Sequence, residues 1–210
     1  PLRHSSAASD VYKRQDYHYA YSLGNYRFLD KSKGFHWSNL DQCVKFSGTS
    51  DESGFIMNHV DINQHSPKLV ESVLESLKAI KDNDQEKLNE NLKQNFHSMV
   101  FVNDRRKDMW VASRWKHYND FRIFIMGIKG NNEIFDDGLV YQGVWDEPKQ
   151  YRGQTGAQDN IIPMEDIFSG VINFYPDNQL TKYLLDLRKY RPKCIQNFFA
   201  FLTNRLTLFF

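Results

Sequence analysis

The sequence predicts an all-α fold. Apolar residues recur at helical spacing in several separate segments, nothing alternates with period two over a useful length, and one stretch, Gly130 to Gln158, interrupts the helical pattern with glycines. A chain of 210 residues supports one substantial core, and a composition 40% hydrophobic and 25% charged is ordinary for a globular protein, so a single domain is expected.

Residues 1–15, including Ser5 to Gln15 (SSAASDVYKRQ), lack apolar periodicity and read as a non-native leader, with native sequence expected from Asp16. Tyr17 to Phe28 is dense in aromatic residues, with Gly24 and Asn25 interrupting what would be a short helix. Asp30 to Gly54 is rich in turn formers and reads as a loop around a small buried cluster of Phe35, Trp37, Leu40, Val44 and Phe46. A helix is expected from near Gly54 through Ile62, with polar residues mixed into its inner surface.

Ser66 followed by Pro67 has the form of an N-cap with proline in the first turn. Leu69, Val70, Val73, Leu74, Leu77 and Ile80 then mark an amphipathic helix ending at Asp82 to Asp84. Leu88, Leu92, Phe96, Met99 and Val100 mark the next. A third is expected from Met109 to Gly127 on Trp110, Trp115, Phe121, Phe124 and Ile125, with Asn119 and Asp120 as the place where it bends. Beyond the long loop, Pro163 opens a helix carrying Ile167, Phe168, Val171 and Ile172. Asp177 is expected to cap another with Leu180, Tyr183, Leu184 and Leu187, and Pro192 separates it from a last helix on Ile195, Phe198, Phe199 and Leu202. The bare apolar end, Leu206 to Phe210, reads as a truncation.

A formal charge of +1 gives no broad basic face for nucleic acid, and the short Arg105-Arg106-Lys107 cluster reads as a solvated helix end. Two cysteines, Cys43 and Cys194, form no dense framework, which points to a reducing compartment and a cytoplasmic protein. No apolar run approaches the roughly 20 residues that span a bilayer. Zinc-type spacing, the serine-nucleophile elbow and the phosphate-binding glycine loop are all missing.

Four features carry possible chemistry. Arg122 sits among Phe121, Ile123, Phe124, Ile125 and Met126, where a permanent charge must snorkel, join a structural ion pair or receive an anion. His59 lies among Phe55, Met57 and Val60, either as a satisfied interior histidine or as a pocket residue. The Thr155-Gly156-Ala157 turn permits close backbone approach to a ligand. Asp166 caps or pairs near the start of its helix, or serves a site.

The ordered words Leu139-Val140-Tyr141-x-Gly143-x-Trp145-x-x-Pro148 and Gly153-Gln154-Thr155-Gly156-Ala157-Gln158 resemble the indoleamine 2,3-dioxygenase family. So do Leu185-x-x-Arg188-x-Tyr190-x-Pro192 and Asn197-Phe198, and the likeness runs in order from Tyr17 to Phe199. The resemblance implies that residues 16–210 are part of that family's larger helical catalytic domain, with loop 130–160 over the pocket and the smaller N-terminal domain missing. It implies haem b as the cofactor, and L-tryptophan or a related indoleamine and dioxygen as the partners. The reaction would insert both oxygen atoms across the indole C2–C3 bond to give N-formylkynurenine, in tryptophan catabolism by the kynurenine pathway, and the full-length protein would be a monomer.

By the same resemblance Arg122 matches the arginine that receives the substrate carboxylate, and Phe55 the phenylalanine that packs on the indole. Thr155 and Gly156 match the loop that closes over the substrate, with Gly153 and Gln154 shaping it. Asp166 matches a carboxylate associated with haem retention, and Ala157 is placed with it on the cofactor side. Tyr19 and Ser22 would line the distal pocket. His59 stands where indoleamine-type enzymes typically have serine and tryptophan 2,3-dioxygenases have histidine, which implies an acceptor for the indole N–H. Phe55, His59, Arg122 and Thr155 to Gly156 are therefore expected to meet at one cavity.

One family feature is absent. The proximal haem histidine belongs downstream of Asn197-Phe198, yet no histidine follows His117, and neither His97 nor His117 occupies the matching segment. No metal ligand is assigned, and this chain alone is expected not to assemble a histidine-ligated haem. The alternatives are a haem-free helical relative acting in binding or signalling, and a helical interaction domain in which Arg122 and His59 are structural.

Overall fold

The computed structural model describes residues 21–125, 129, 133–140, 142–151 and 159–206. They are mostly helical, as the periodicity requires. The one addition to an all-helical reading is a pair of short antiparallel strands, β1 (Tyr26–Phe28) and β2 (Leu40–Gln42), with Phe28 opposite Leu40. Between them Tyr26, Phe28 and Phe35 meet edge to face, and this aromatic knot packs with Leu40 on Ile56, Met57 and Val60 of helix α1 (Ser50–Asn63). Val44 and Phe46 do not join it; they are 71% and 55% exposed. Their backbones face inward instead, the Val44 N–H donating to Asn25 and the Phe46 N–H to Glu52.

Helix α1 begins four residues before Gly54 because the Thr49 hydroxyl accepts the Glu52 N–H at 3.2 Å, an N-cap that satisfies an otherwise orphaned donor. Gly54 has a different task. A Cβ there would lie 1.7 Å from the Ala112 carbonyl oxygen, so glycine is what lets the segment ending at Ala112 cross α1 at backbone contact.

Helices α2 (Ser66–Asp82) and α3 (Gln85–Lys107) form a long antiparallel hairpin. It turns at Asn83, in the left-handed region at φ 54°, and Asp84 caps α3 by accepting the Lys87 N–H at 2.9 Å. Ser66 is not the cap of α2. It is the first helical residue, after His65, and its hydroxyl donates back to the Asn63 carbonyl.

The expected third helix is broken into α4 (Met109–Ala112), a 3-10 turn (Trp115–His117) and α5 (Tyr118–Ile125). The break falls at Ser113 and Arg114, not at Asn119 and Asp120. Arg114 is held extended because its N–H donates to Asp51 at 2.8 Å while its guanidinium grips the same carboxylate at 3.0 and 2.6 Å. Those bonds, against some burial, hold the Asp51 carboxyl down at about 2.

Helices α6 (Ile161–Phe168), α7 (Gln179–Arg188) and α8 (Lys193–Leu206) complete the fold, with Asn178 rather than Asp177 capping α7. The main core joins Leu69, Val73, Val102, Met164, Ile167, Phe199, Leu202 and Leu206. Each such side chain contributes about 1.5–3 kcal/mol of hydrophobic burial. Within the long loop Leu139 and Lys149 exchange backbone hydrogen bonds, both 3.1 Å. Gly138 permits this turn at φ 107°, since a Cβ would meet the Lys149 carbonyl at 2.8 Å. The Trp145 indole donates to the Leu139 carbonyl and packs on Tyr151, which in turn meets Tyr190 just after α7.

Candidate functional site

Helical spacing places Phe55 and His59 one turn apart on α1, with ring centroids 4.7 Å from each other. The His59 Nδ1 lies 2.8 Å from the Phe55 carbonyl oxygen. A carbonyl only accepts, so Nδ1 carries the hydrogen and, in the neutral ring, Nε2 is an acceptor.

Helix α5 supplies the opposite wall. Tyr118 and Phe121 sit 5.2 and 5.5 Å from Phe55, ring to ring, and 5.5 Å from each other, while Trp110 meets Tyr118 edge-on at 6.5 Å. Phe121 is fully buried. The next residue on α5 is Arg122, half-buried, and its Nη1 is buried without a hydrogen-bond partner among the described residues. A guanidinium nitrogen removed from water and unpaired costs free energy, which an anionic ligand at that nitrogen would recover.

Ser22 is fully buried, its hydroxyl likewise without a partner among the described residues. Asp166 stands elsewhere, on α6, whose main packing partners are α2, α8 and the 3-10 turn Val171–Phe174. There it accepts a hydrogen bond from the Tyr175 hydroxyl, and burial together with this bond and the Asp166 charge pushes Tyr175 up to about 12. Tyr19, Gly153, Gln154, Thr155, Gly156 and Ala157 lie outside the described residues. The structure thus brings Phe55 and His59 against the helix that carries Arg122, while Asp166 lies on α6.

Four carboxyls are buried among the described residues, Asp51, Glu52, Asp61 and Glu165, and two of them contrast. Glu52 is fully buried and accepts from the Phe46, Ser47 and Gly48 backbones and from the Ser47 and Tyr21 hydroxyls. The Thr-x-x-Glu spacing of Thr49 and Glu52 is the signal that would have found it. Glu165, 7% exposed on α6, has no such local signal.

Against this geometry the comparisons are specific. The family model described as indoleamine 2,3-dioxygenase matches residues 16–208. Indoleamine 2,3-dioxygenase 1 of Rattus norvegicus is 24% identical over 185 residues, covering 87% of this chain and 45% of the relative. Indoleamine 2,3-dioxygenase 2 of Mus musculus is 28% identical over 156 residues, covering 74% and 38%. A myoglobin of Haliotis madaka is 33% identical over 87 residues, 41% of this chain and 22% of the relative. The chain spans less than half the length of these relatives. With a family match across nearly its whole length and the mostly helical architecture described above, the chain belongs to the indoleamine 2,3-dioxygenase family.

Proposed function

We propose that this chain forms the substrate-facing part of a haem-dependent dioxygenase that converts L-tryptophan to N-formylkynurenine. The observation that carries the proposal is Arg122: a buried guanidinium nitrogen without a partner among the described residues, on the helix whose aromatic residues pack against Phe55. In this reading Arg122 binds the amino-acid carboxylate through its planar fork. Phe55, Phe121 and Tyr118 flank the indole and exclude water. His59, with Nδ1–H committed to the Phe55 carbonyl, offers Nε2 to accept the indole N–H. Thr155 and Gly156, with Gly153 and Gln154, close over the substrate, and Tyr19 and Ser22 complete the distal wall.

Haem would supply dioxygen activation. The residues present fit the apolar wall of its pocket, and Asp166 with Tyr175 offers a polar anchor on a second element. They do not fit the iron: among the described residues the imidazole that meets Phe55 is His59, on the side proposed for substrate, and helices α6 to α8 contain no histidine. Supplied with ferrous haem, the chain of 210 residues is therefore expected to give no five-coordinate histidine-ligated Soret spectrum and no N-formylkynurenine. Stoichiometric tight binding with turnover would overturn that expectation.

The substrate assignment is tested by ligand binding to the same chain. L-Tryptophan is expected to bind about 30-fold more weakly to Arg122→Ala, the equivalent of roughly 2 kcal/mol for a charge-assisted contact, whereas indole, which lacks the carboxylate, binds both alike. Equal tryptophan binding by the two proteins defeats the role of Arg122. The likeness to a myoglobin favours a second reading, dioxygen binding without indole oxidation. It predicts that tryptophan binds neither protein.

A further inference from the structure

The α2–α3 hairpin is polar where two packed helices are ordinarily apolar. The helices run antiparallel from the turn at Asn83 and Asp84, so residues equally far from the turn lie opposite: Ser76 with Asn91, and Ser72 with Asn95. Asn95 Nδ2 donates to the Ser72 hydroxyl at 3.0 Å, which fixes this register. Ser72 and Ser76 are fully buried, and the Ser76 hydroxyl and Asn91 Nδ2 have no partner among the described residues.

Onto this seam α6 inserts a carboxyl. Glu165 lies beside the core residues Met164 and Ile167, and both of its oxygens are 3.1 Å from Asn95 Nδ2. No cation pairs with it among the described residues. One amide nitrogen has two hydrogens to share among the Ser72 hydroxyl and two carboxyl oxygens, so an ionised carboxylate would be short of donors, whereas a neutral acid needs fewer and brings one of its own. The carboxyl also sits in the C-terminal half of α6, where the helix dipole disfavours negative charge.

We propose that Glu165 is a positioning residue, a carboxyl kept neutral in the α2–α3 seam to seat α6 on the hairpin, and that its ionisation loosens this seat. The groups around it leave it without charge compensation. The seam presents Ser72 and Ser76 from α2 and Asn91 and Asn95 from α3; α8 packs on α6 through Phe199, Leu202 and Leu206. The charged neighbour that acts on Glu165 is Asp166, on its own helix, which is bonded to Tyr175 beyond it. Burial first, then the Asp166 charge, opposed by the Asn95 hydrogen bond, pushes Glu165 up to about 7 from the ordinary 4.5.

The folded chain consequently holds this proton more tightly than the unfolded chain. Its stabilising effect is complete below about 4.5, is lost as pH rises to about 7, and stays lost above. The loss amounts to on the order of a hundredfold in the folding equilibrium. Because Asp166 follows Glu165 directly, a loosened α6 would also shift the carboxylate proposed to serve haem. That consequence alone rests on the proposed function.

The test is urea unfolding of the 210-residue chain and of Glu165→Gln, which keeps shape and hydrogen bonding but cannot ionise, from pH 4.5 to pH 8.5. The wild type should lose about a hundredfold in folding equilibrium relative to Glu165→Gln between pH 5 and pH 8. Every other ionisable group is common to the two proteins, so the difference isolates Glu165. Two curves of the same shape would overturn the proposal. Should Glu165→Gln fail to fold, the carboxyl ¹³C titration of wild-type Glu165 decides: a midpoint near 7 supports the proposal, and one below 5 overturns it. Asp166→Asn should lower that midpoint by removing the adjacent charge. None of these readouts involves haem or tryptophan, so failure here leaves the functional reading intact, and failure of tryptophan binding leaves the seat of α6 intact.

Discussion

Glu52 and Glu165 are both buried glutamates on helices, yet the fold treats them in opposite ways. Glu52 stands in the first turn of α1, where the helix dipole favours a negative charge, and accepts from Phe46, Ser47, Gly48 and Tyr21 at 2.7–3.1 Å. Burial pushes its carboxyl up, but these hydrogen bonds outweigh burial and hold it below the usual range. Glu165 stands past the middle of α6 with a single amide for company, and burial wins. The difference teaches that depth alone does not set the charge of a buried acid; the number of donors aimed at it does.

The largest effect that would break this comparison is Glu52→Ala. It strands the N–H groups of Phe46, Ser47 and Gly48 and cuts the loop from α1, so a loss of about 3–5 kcal/mol in urea unfolding is expected. A loss below about 1 kcal/mol would show that those donors find water instead. The reverse sign is expected at the other site: at pH 8, Glu165→Gln should be more stable than wild type by about 2–3 kcal/mol, with little difference at pH 4.5.

The two acids also sharpen each other through pH. Glu52, lowered from 4.5, stabilises the fold above that value and loses this effect as pH falls through its folded-state value; Glu165 is costly once pH exceeds 4.5 and fully so above about 7. Together they predict a stability maximum close to pH 5, read from thermal midpoints between pH 3 and pH 9. A flat plateau from pH 5 to pH 8 would mean that Glu165 ionises without penalty.

Beside Glu52, Asp51 offers a third case, held down to about 2 first by the Arg114 side-chain hydrogen bonds. Arg114→Ala should lower stability at pH 7 and shrink the part of the acid sensitivity that runs from about 3.8 down to about 2, while the residue-114 backbone N–H goes on donating to Asp51. The smallest expected effect is Ser47→Ala, about 1 kcal/mol, because Glu52 keeps its other donors.

Much of the architecture was legible without coordinates. The apolar periods of Leu69 to Ile80 and Leu88 to Val100 correspond to α2 and α3, and Asp82 to Asp84 to their turn. The breaker residues Asn119 and Asp120 misled, because the interruption at Ser113 and Arg114 is made by Asp51, a residue 63 positions away. Phe55, His59 and Arg122 were visible as unusual residues on apolar faces, and the likeness of their surroundings to one family gave them provisional roles. Their neighbours Tyr118 and Phe121 became wall residues only once α5 packed against α1.

The sequence by itself determined which segments coil, where the α2–α3 hairpin turns and which family the ordered motifs belong to, because backbone propensity, apolar spacing and short motifs are local properties of the chain. Only the tertiary structure decided that Glu52 is gripped by a loop and that Glu165 is left to a single amide 70 positions away. Charge state depends on which donors and charges are brought within a few ångströms, and folding assembles those from segments whose separation along the chain carries no trace of their contact.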